Sequence, residues 1–174
     1  MKASLVPFQP CPGVESLRFD LTLVSSGRLA FNVTLTGPTA SGLPLIQTPG
    51  QRRSGLWNDH CFELFIGKPG SKAYWEWNLA PSGDWQCFQF DQYRANRTLS
   101  ESLRLDNCSS SCFENTYSLS AEIILISSLI RQRELFKIGI CAVIRSQEGL
   151  SYFALRHGHQ PDFHDQRQYV EITL

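Results

Sequence analysis

The sequence predicts an all-β protein, a two-sheet antiparallel β-sandwich of jelly-roll or immunoglobulin-like type. Three observations lead there. Apolar and polar residues alternate with period two along most of the chain, as in strands with one buried face. Runs rich in Gly, Pro, Asn and Ser separate the alternating segments at hairpin spacing. No segment has the long 3.6-residue apolar period of a helix able to cover a parallel sheet, which argues against a doubly wound fold.

The elements follow in order. Leu17, Phe19, Leu21 and Leu23 alternate with Arg18, Asp20 and Thr22, and Leu29, Phe31, Val33 and Leu35 repeat the pattern beyond Gly27. These segments read as a hairpin. Residues 37–55 are rich in Gly, Pro, Ser and Thr. They read as a long loop, which in a compact domain is often functional. Three closely spaced strands come next, at 61–66, 74–79 and 85–90. Gly67-Lys-Pro-Gly70 and Pro81-Ser-Gly83 join them with turn chemistry. Residues 94–116 are polar and read as irregular. Strand patterns resume at 117–126, 136–144, 152–157 and 168–174, and only 127–135 could hold a helical turn. With no internal repeat or linker, residues 1–174 read as a single domain of about nine strands.

Composition narrows the function classes. A chain of 174 residues suits one domain and can bury a core without staples. Its 42% hydrophobic content excludes disorder by composition. Sixteen basic residues balance sixteen acidic ones. No global field therefore draws nucleic acid or an anionic membrane, and neither is expected as a partner; Arg52 and Arg53 are a local basic pair. No run approaches the ~18 apolar residues of a membrane span. The opening residues lack the cleavage site of a secretory signal, so the expected compartment is the cytoplasm. There Cys11, Cys61, Cys87, Cys108, Cys112 and Cys141 are expected as free thiols. The N-x-S/T matches at Asn32, Asn96 and Asn107 have meaning only in an exported chain. Cys108-x3-Cys112 does not have the spacing of a common zinc ribbon. Walker, G-x-G-x-x-G, G-x-S-x-G and H-E-x-x-H motifs do not occur.

The central hairpin is the most informative stretch. On 61–66, Phe62, Leu64 and Ile66 share a face, opposite Cys61, Glu63 and Phe65. On 74–79, Trp75, Trp77 and Leu79 share a face, opposite Tyr74, Glu76 and Asn78. The greasier faces are expected in the core. A turn that brings Ile66 near Lys72 or Ala73 pairs Leu64 with Trp75 and Phe62 with Trp77. It also sets Glu63 opposite Glu76. Like charges across a strand pair are unfavourable. The compensating group is an arginine (Arg18, Arg94, Arg145 or Arg156), a shared proton, a metal, or a polyhydroxylated ligand. Glycosidases also use paired carboxylates, roughly 5–5.5 Å apart for retention, but nothing else in the chain supplies such a site. Trp57 and Trp85, at strand ends, are the candidates for exposed stacking.

Two stretches, "RRSGLWNDHCFELFIGKPGSKAYWEWNLAPSGDWQCFQFDQYR" and "LSYFALRHGHQPDFHDQRQYVEITL", cover about two fifths of the chain. Through Leu56-Trp57, Phe62-Glu63-Leu64-Phe65, Glu76-x-Asn78, Pro81-Ser-Gly-x-Trp85 and Pro161-Asp-Phe-His164, this sequence resembles bacterial DOMON-like proteins related to family 9 carbohydrate-binding modules. The resemblance implies a β-sandwich whose sugar-binding relatives use an aromatic residue and a following acid. Trp57 and Glu63 match these in order and spacing. An indole face packs on sugar C–H groups while carboxylates accept from hydroxyls. The second, C-terminal tryptophan of those relatives has Phe163 as its nearest stand-in here. The resemblance also extends to haem-binding domains. Their axial ligation would fall to His60 with His157, His159 or His164, because the only methionine is Met1.

The stretch Arg156–Asp165, "RHGHQPDFHD", holds three of the four histidines. His157-x-His159 on a strand would put two ligands on one face, with Asp162 and His164 to complete a metal site. Gly158 and Pro161 instead end the strand. The expected arrangement is a rim loop in which Asp162 caps backbone amides. The reading is thus a ligand-binding domain without catalytic machinery or cofactor, for a carbohydrate or similar polyhydroxylated small molecule. Its expected site comprises Trp57, Glu63, Glu76, Asn78 and Arg94, with His157 and His164 at the rim. The rival readings are a small metal-dependent hydrolase built on 156–165 and a protein-interaction domain.

Overall fold

The structure, a computed structural model, describes residues 1–126 and 134–173. The strands run β1 (Lys2–Ser4), β2 (Val6–Pro7), β3 (Ser16–Ser25), β4 (Arg28–Thr36), β5 (Cys61–Gly67), β6 (Tyr74–Leu79), β7 (Trp85–Phe90), β8 (Thr98–Leu99), β9 (Leu103–Phe113), β10 (Thr116–Leu125), β11 (Leu135–Ser146), β12 (Gly149–Ala154) and β13 (Val170–Thr173). They form two antiparallel sheets. One has the order β1-β3-β4-β10-β9; the other is β2-β12-β11-β5-β6-β7-β8, with β13 also paired to β11. The β-sandwich expected from alternation is the fold.

The inward faces are those the pattern predicts. Leu17, Phe19, Leu21, Leu29, Phe31, Val33 and Leu35 meet Phe62, Leu64, Trp77, Leu79, Ile138 and Ile140 in one core. Trp77 is fully buried and Trp75 packs partly buried against the same core. Aromatic edges lock the sheets together, with Phe31 and Trp77 centroids 5.5 Å apart and nearly perpendicular.

Several elements differ from expectation. The N-terminal residues join both sheets: β1 pairs with β3 and β2 with β12, and buried Leu5 lies between them. Residues 98–113 are largely strand. In β9 the half-buried residues Leu105, Cys108, Ser110 and Cys112 alternate across a bulge at its pairing with Glu122/Ile123. Serine and cysteine supply too little hydrophobicity for that edge strand to stand out. The long segment 37–55 closes an end of the sandwich, burying Ala40 and Leu43 in the core. The helical turn expected at 127–135 falls largely outside the described residues. Its end, Leu135, is the first residue of β11.

The β5–β6 register also differs. Gly67 pairs with Tyr74, Leu64 with Trp77, Phe65 with Glu76 and Glu63 with Asn78. Six residues, 68–73, occupy the loop, which is closed by Ser71 N–H donating to the Lys68 carbonyl at 3.0 Å. A two-residue slip preserves every face. It moves Glu63 and Glu76 from directly opposite to diagonal.

On its other edge β11 is shared. Residues 141–146 pair with β12 and 135–138 with β13. The chain between those strands, residues 155–169, leaves the sheet and crosses its outer face. It lands on a second small core of Phe65, Tyr74, Phe88, Phe90, Cys141, Ala154 and Tyr169. Gly139 permits the landing, because a Cβ there would lie 2.6 Å from the Tyr169 ring.

Candidate functional site: an acid-floored aromatic cavity

This excursion roofs a cavity of about 380 Å³ on the outer face of the larger sheet. Such a volume is in the range of small-molecule sites. Glu63 and Glu76 form its floor. Trp57 and Asn58 come from the 3₁₀ turn Leu56–Asn58, Phe90 from β7, and Val143, Leu150 and Tyr152 from the β11–β12 hairpin. Arg94 and Arg97 come from the turn after β7, and Pro161, Phe163 and His164 from the roof.

The floor is acidic and almost dry. Glu63 is 3% exposed and Glu76 5%. Asn78 Nδ2 donates to Glu76 Oε1 at 2.7 Å. The Cys61 thiol, kept protonated by burial, lies near Glu63 on the same strand and directs its bond to Asn78 Oδ1 at 3.7 Å. Among the described residues no N–H or hydroxyl donates to Glu63. Burial first, then the charge of Glu76, holds the Glu63 carboxyl well above the ordinary carboxylate range. Burial raises Glu76 as well, against the opposing pull of Asn78, Arg97 and Arg94. Like charges in a desolvated site cannot both ionise freely.

None of the four arginines considered as a compensator forms an ion pair with the floor. Arg18 lies on the other sheet, in β3. Arg145 Nε pairs with Asp59 at 2.9 Å, and Arg156 is exposed. Arg94 approaches closely enough to favour both carboxylates, but its guanidinium is held by Asp162 Oδ1 at 2.9 Å.

The roof is anchored through Asp162, which also accepts from the Tyr93 hydroxyl at 2.6 Å and the His164 N–H at 3.1 Å. The expected amide cap is therefore present. Arg94 and Asn96 have positive φ, 51° and 54°, which is uncommon without glycine and marks a constrained turn. That turn brings both arginines to the rim.

His164 points inward. The Tyr74 hydroxyl lies 2.7 Å from its Nδ1 and accepts from the Arg94 N–H at 3.2 Å. We assign the Tyr74 proton to this bond and the histidine's own proton to Nε2, the tautomer that turns an N–H toward the Glu76 carboxyl. Nε2 lies 3.8 Å from Glu76 Oε2, beyond hydrogen-bond reach. Burial, reinforced by Arg94, lowers the His164 pKa to about 4. The contact is thus between a neutral imidazole and an acid.

Trp57 is half-buried at the wall, its ring 5.8 Å from Phe88 in an edge-on contact. The Arg97 guanidinium lies over both rings, 5.5 Å from Trp57 and 4.9 Å from Phe88.

The structure thus brings Trp57, Glu63, Glu76, Arg94 and His164 around one cavity. Asn78 is fully buried beneath them, orienting Glu76. His157 lies apart, its Nε2 2.8 Å from the Val6 carbonyl, beside an open depression with His159 and Asp165. The separation of His157 from His164 takes apart the ligand set considered for a metal. Among the described residues no three of His, Cys, Asp and Glu are grouped to hold one. Trp85, expected to be exposed, is buried under the Arg52 guanidinium at 5.0 Å. Tyr152 and Phe90 were not among the expected site residues; the only signal for them is alternation, which sets Tyr152 opposite Phe153 and Phe90 opposite Trp85 and Cys87. Arg97 carried no sequence signal.

No family model matches the chain, and no curated protein matches it. Solved structures do match its fold. A "putative carbohydrate-binding protein" from Bacteroides uniformis superposes with TM-score 0.70 at 10% identity, over 99% of this chain and 85% of that one. A family 9 carbohydrate-binding module from Caldicellulosiruptor kristjanssonii, in complex with cellotriose, gives TM-score 0.58 at 8% identity, over 99% and 81%. The same kind of module in complex with glucose gives 0.52 at 10% identity, over 91% and 75%. The class defined is the β-sandwich shared with these modules; at such identities the likeness is one of fold.

Proposed function

We propose that this protein is a non-catalytic binding domain that holds a carbohydrate, or a similar polyhydroxylated small molecule, in the cavity between Trp57 and the Glu63–Glu76 floor. The observation that carries the reading is the floor itself. Two nearly dry carboxyls face a space walled by Trp57, Phe90, Tyr152 and Phe163. Aromatic faces pack against sugar C–H groups, and the carboxyls and the His164 Nε2–H match hydroxyl donors and acceptors. The sugars bound by the modules of like fold support this reading. The motifs around Leu56-Trp57 and Pro161-Asp-Phe-His164 support a DOMON-like relation.

Tryptophan fluorescence and calorimetric titration with mono- and oligosaccharides test it. Saturable binding without turnover is expected, weakened about tenfold or more by Trp57→Ala, equivalent to about 1.4 kcal/mol. Binding that is unaffected by Trp57→Ala and Glu76→Gln would place the ligand elsewhere.

A further inference from the structure

The floor acids differ in one respect that bears on ligand charge. Glu76 has Asn78 as a hydrogen-bond donor at 2.7 Å, whereas Glu63, equally buried, has no nitrogen or hydroxyl donor among the described residues and faces the cavity. The charges around the cavity do not cancel. Arg94 and Asp162 neutralise each other at 2.9 Å. That leaves Glu63 and Glu76 against Arg97, one negative charge in excess when both acids are ionised. His164, held neutral, adds none. A buried carboxylate without a cation is costly, and a proton or a bound cation removes the cost. The walls suit a cation too, because Trp57, Phe90, Tyr152 and Phe163 line the same space and aromatic faces attract ammonium groups.

Building on the proposed sugar site, we propose that the cavity selects a cationic sugar, a hexosamine whose free ammonium group sits on Glu63 while its hydroxyls meet Glu76 and His164. Arg97, over Trp57 and Phe88 at the rim, lies on the opposite side of the balance. The ammonium therefore belongs at the floor and the neutral part of the ring beneath the rim. Protons compete with the ammonium for the same carboxyl. The other ionisable groups that act on Glu63 are the Cys61 thiol on its own strand, Glu76 on β6 and Arg94 on the turn. Cys141 on β11 and Tyr169 on the roof also sense its charge. Both are raised by burial and stay neutral, so the competition runs between the proton and the ligand cation.

The test is calorimetric titration of the whole chain at neutral pH with glucosamine, N-acetylglucosamine and glucose. Glucosamine is expected to bind about tenfold more tightly than either neutral sugar. Glu63→Gln is expected to abolish that preference. Should Glu63→Gln fail to fold, the wild-type protein supplies a second reading: the preference for glucosamine shrinks as the pH is lowered and the floor takes up its proton. Equal affinity for glucosamine and glucose would overturn the ammonium assignment while leaving the sugar site standing. A preference that survives in Glu63→Gln, or that does not change with pH, would overturn it as well. Absence of binding by all three sugars would overturn the hexosamine assignment and leave the sugar site to be decided by the oligosaccharide titration.

Discussion

Tyr74 and His164 share a hydrogen bond: the phenolic oxygen lies 2.7 Å from Nδ1 and is itself met by the Arg94 N–H at 3.2 Å. One hydroxyl, on the strand that carries Glu76, thereby joins the sheet, the arginine turn and the roof of the cavity. Removing it leaves a largely buried imidazole nitrogen without its partner. Tyr74→Phe is expected to destabilise the fold by about 1–3 kcal/mol and to weaken ligand binding, measured by urea denaturation and titration. Unchanged stability would show that the roof is held by Asp162 alone.

His164 should stay neutral far into the acid range. Its folded pKa, about 4, lies below its ordinary value of 6.5. The stability this gives is fully present above the ordinary value and is lost as pH falls toward and through the folded one. In an NMR titration, the His164 ring signals should hold still where an ordinary histidine titrates. A midpoint near the ordinary value would mean that the imidazole is solvated.

Glu63 has the opposite sign. Its folded pKa is raised, so its contribution is fully present below the ordinary carboxylate value and is lost as pH rises through the folded one. Without ligand, Glu63→Gln should be more stable than the wild type at alkaline pH, by about 1.4 kcal/mol for each pKa unit of the shift removed. The difference should fade in acid. The His164 contribution is common to both proteins and cancels in the comparison. A constant difference across the pH range would mean that Glu63 is not the strained acid.

Gly139→Ala tests how the roof is seated. The added methyl would lie 2.6 Å from the Tyr169 ring, whose hydroxyl donates to the Phe163 carbonyl at 3.0 Å. Overpacking of this kind costs about 1–3 kcal/mol. Hydrogen exchange is expected to quicken across 155–169 more than in β5. Uniform exchange would show that the roof and the sheet unfold together.

Much of this was legible in the sequence, for a specific reason. Period-two alternation fixes which way a strand's residues face, so Trp77 in the core and Glu63 and Glu76 on the outer face followed directly. Register was not fixed, because a six-residue loop and a four-residue loop keep the same faces and differ in whether Glu63 stands opposite Asn78 or Glu76. Strand β9 was missed because Cys108, Ser110 and Cys112 bury little apolar surface. Five of the expected site residues converge because β12 stops at Ala154, short of the strand end expected at His157 and ahead of Gly158 and Pro161, releasing the segment that carries His164. Arg97 depends on left-handed backbone at Arg94 and Asn96, which asparagine tolerates but arginine does not announce. His157 bonds the Val6 carbonyl instead, and Trp85 lies on the inward face of β7 with Cys87, covered by the Arg52 guanidinium.

The most direct test of the central claim is a crystal structure of the protein grown with a bound monosaccharide. The sugar ring is expected in the cavity on the outer face of the β5–β6 ribbon, against Trp57, with hydrogen bonds to Glu63 or Glu76 and to His164 Nε2. A sugar bound on the outer face of the β3–β4–β10 sheet, or Glu63 and Glu76 closed off by neighbouring chain with no space above them, would contradict it.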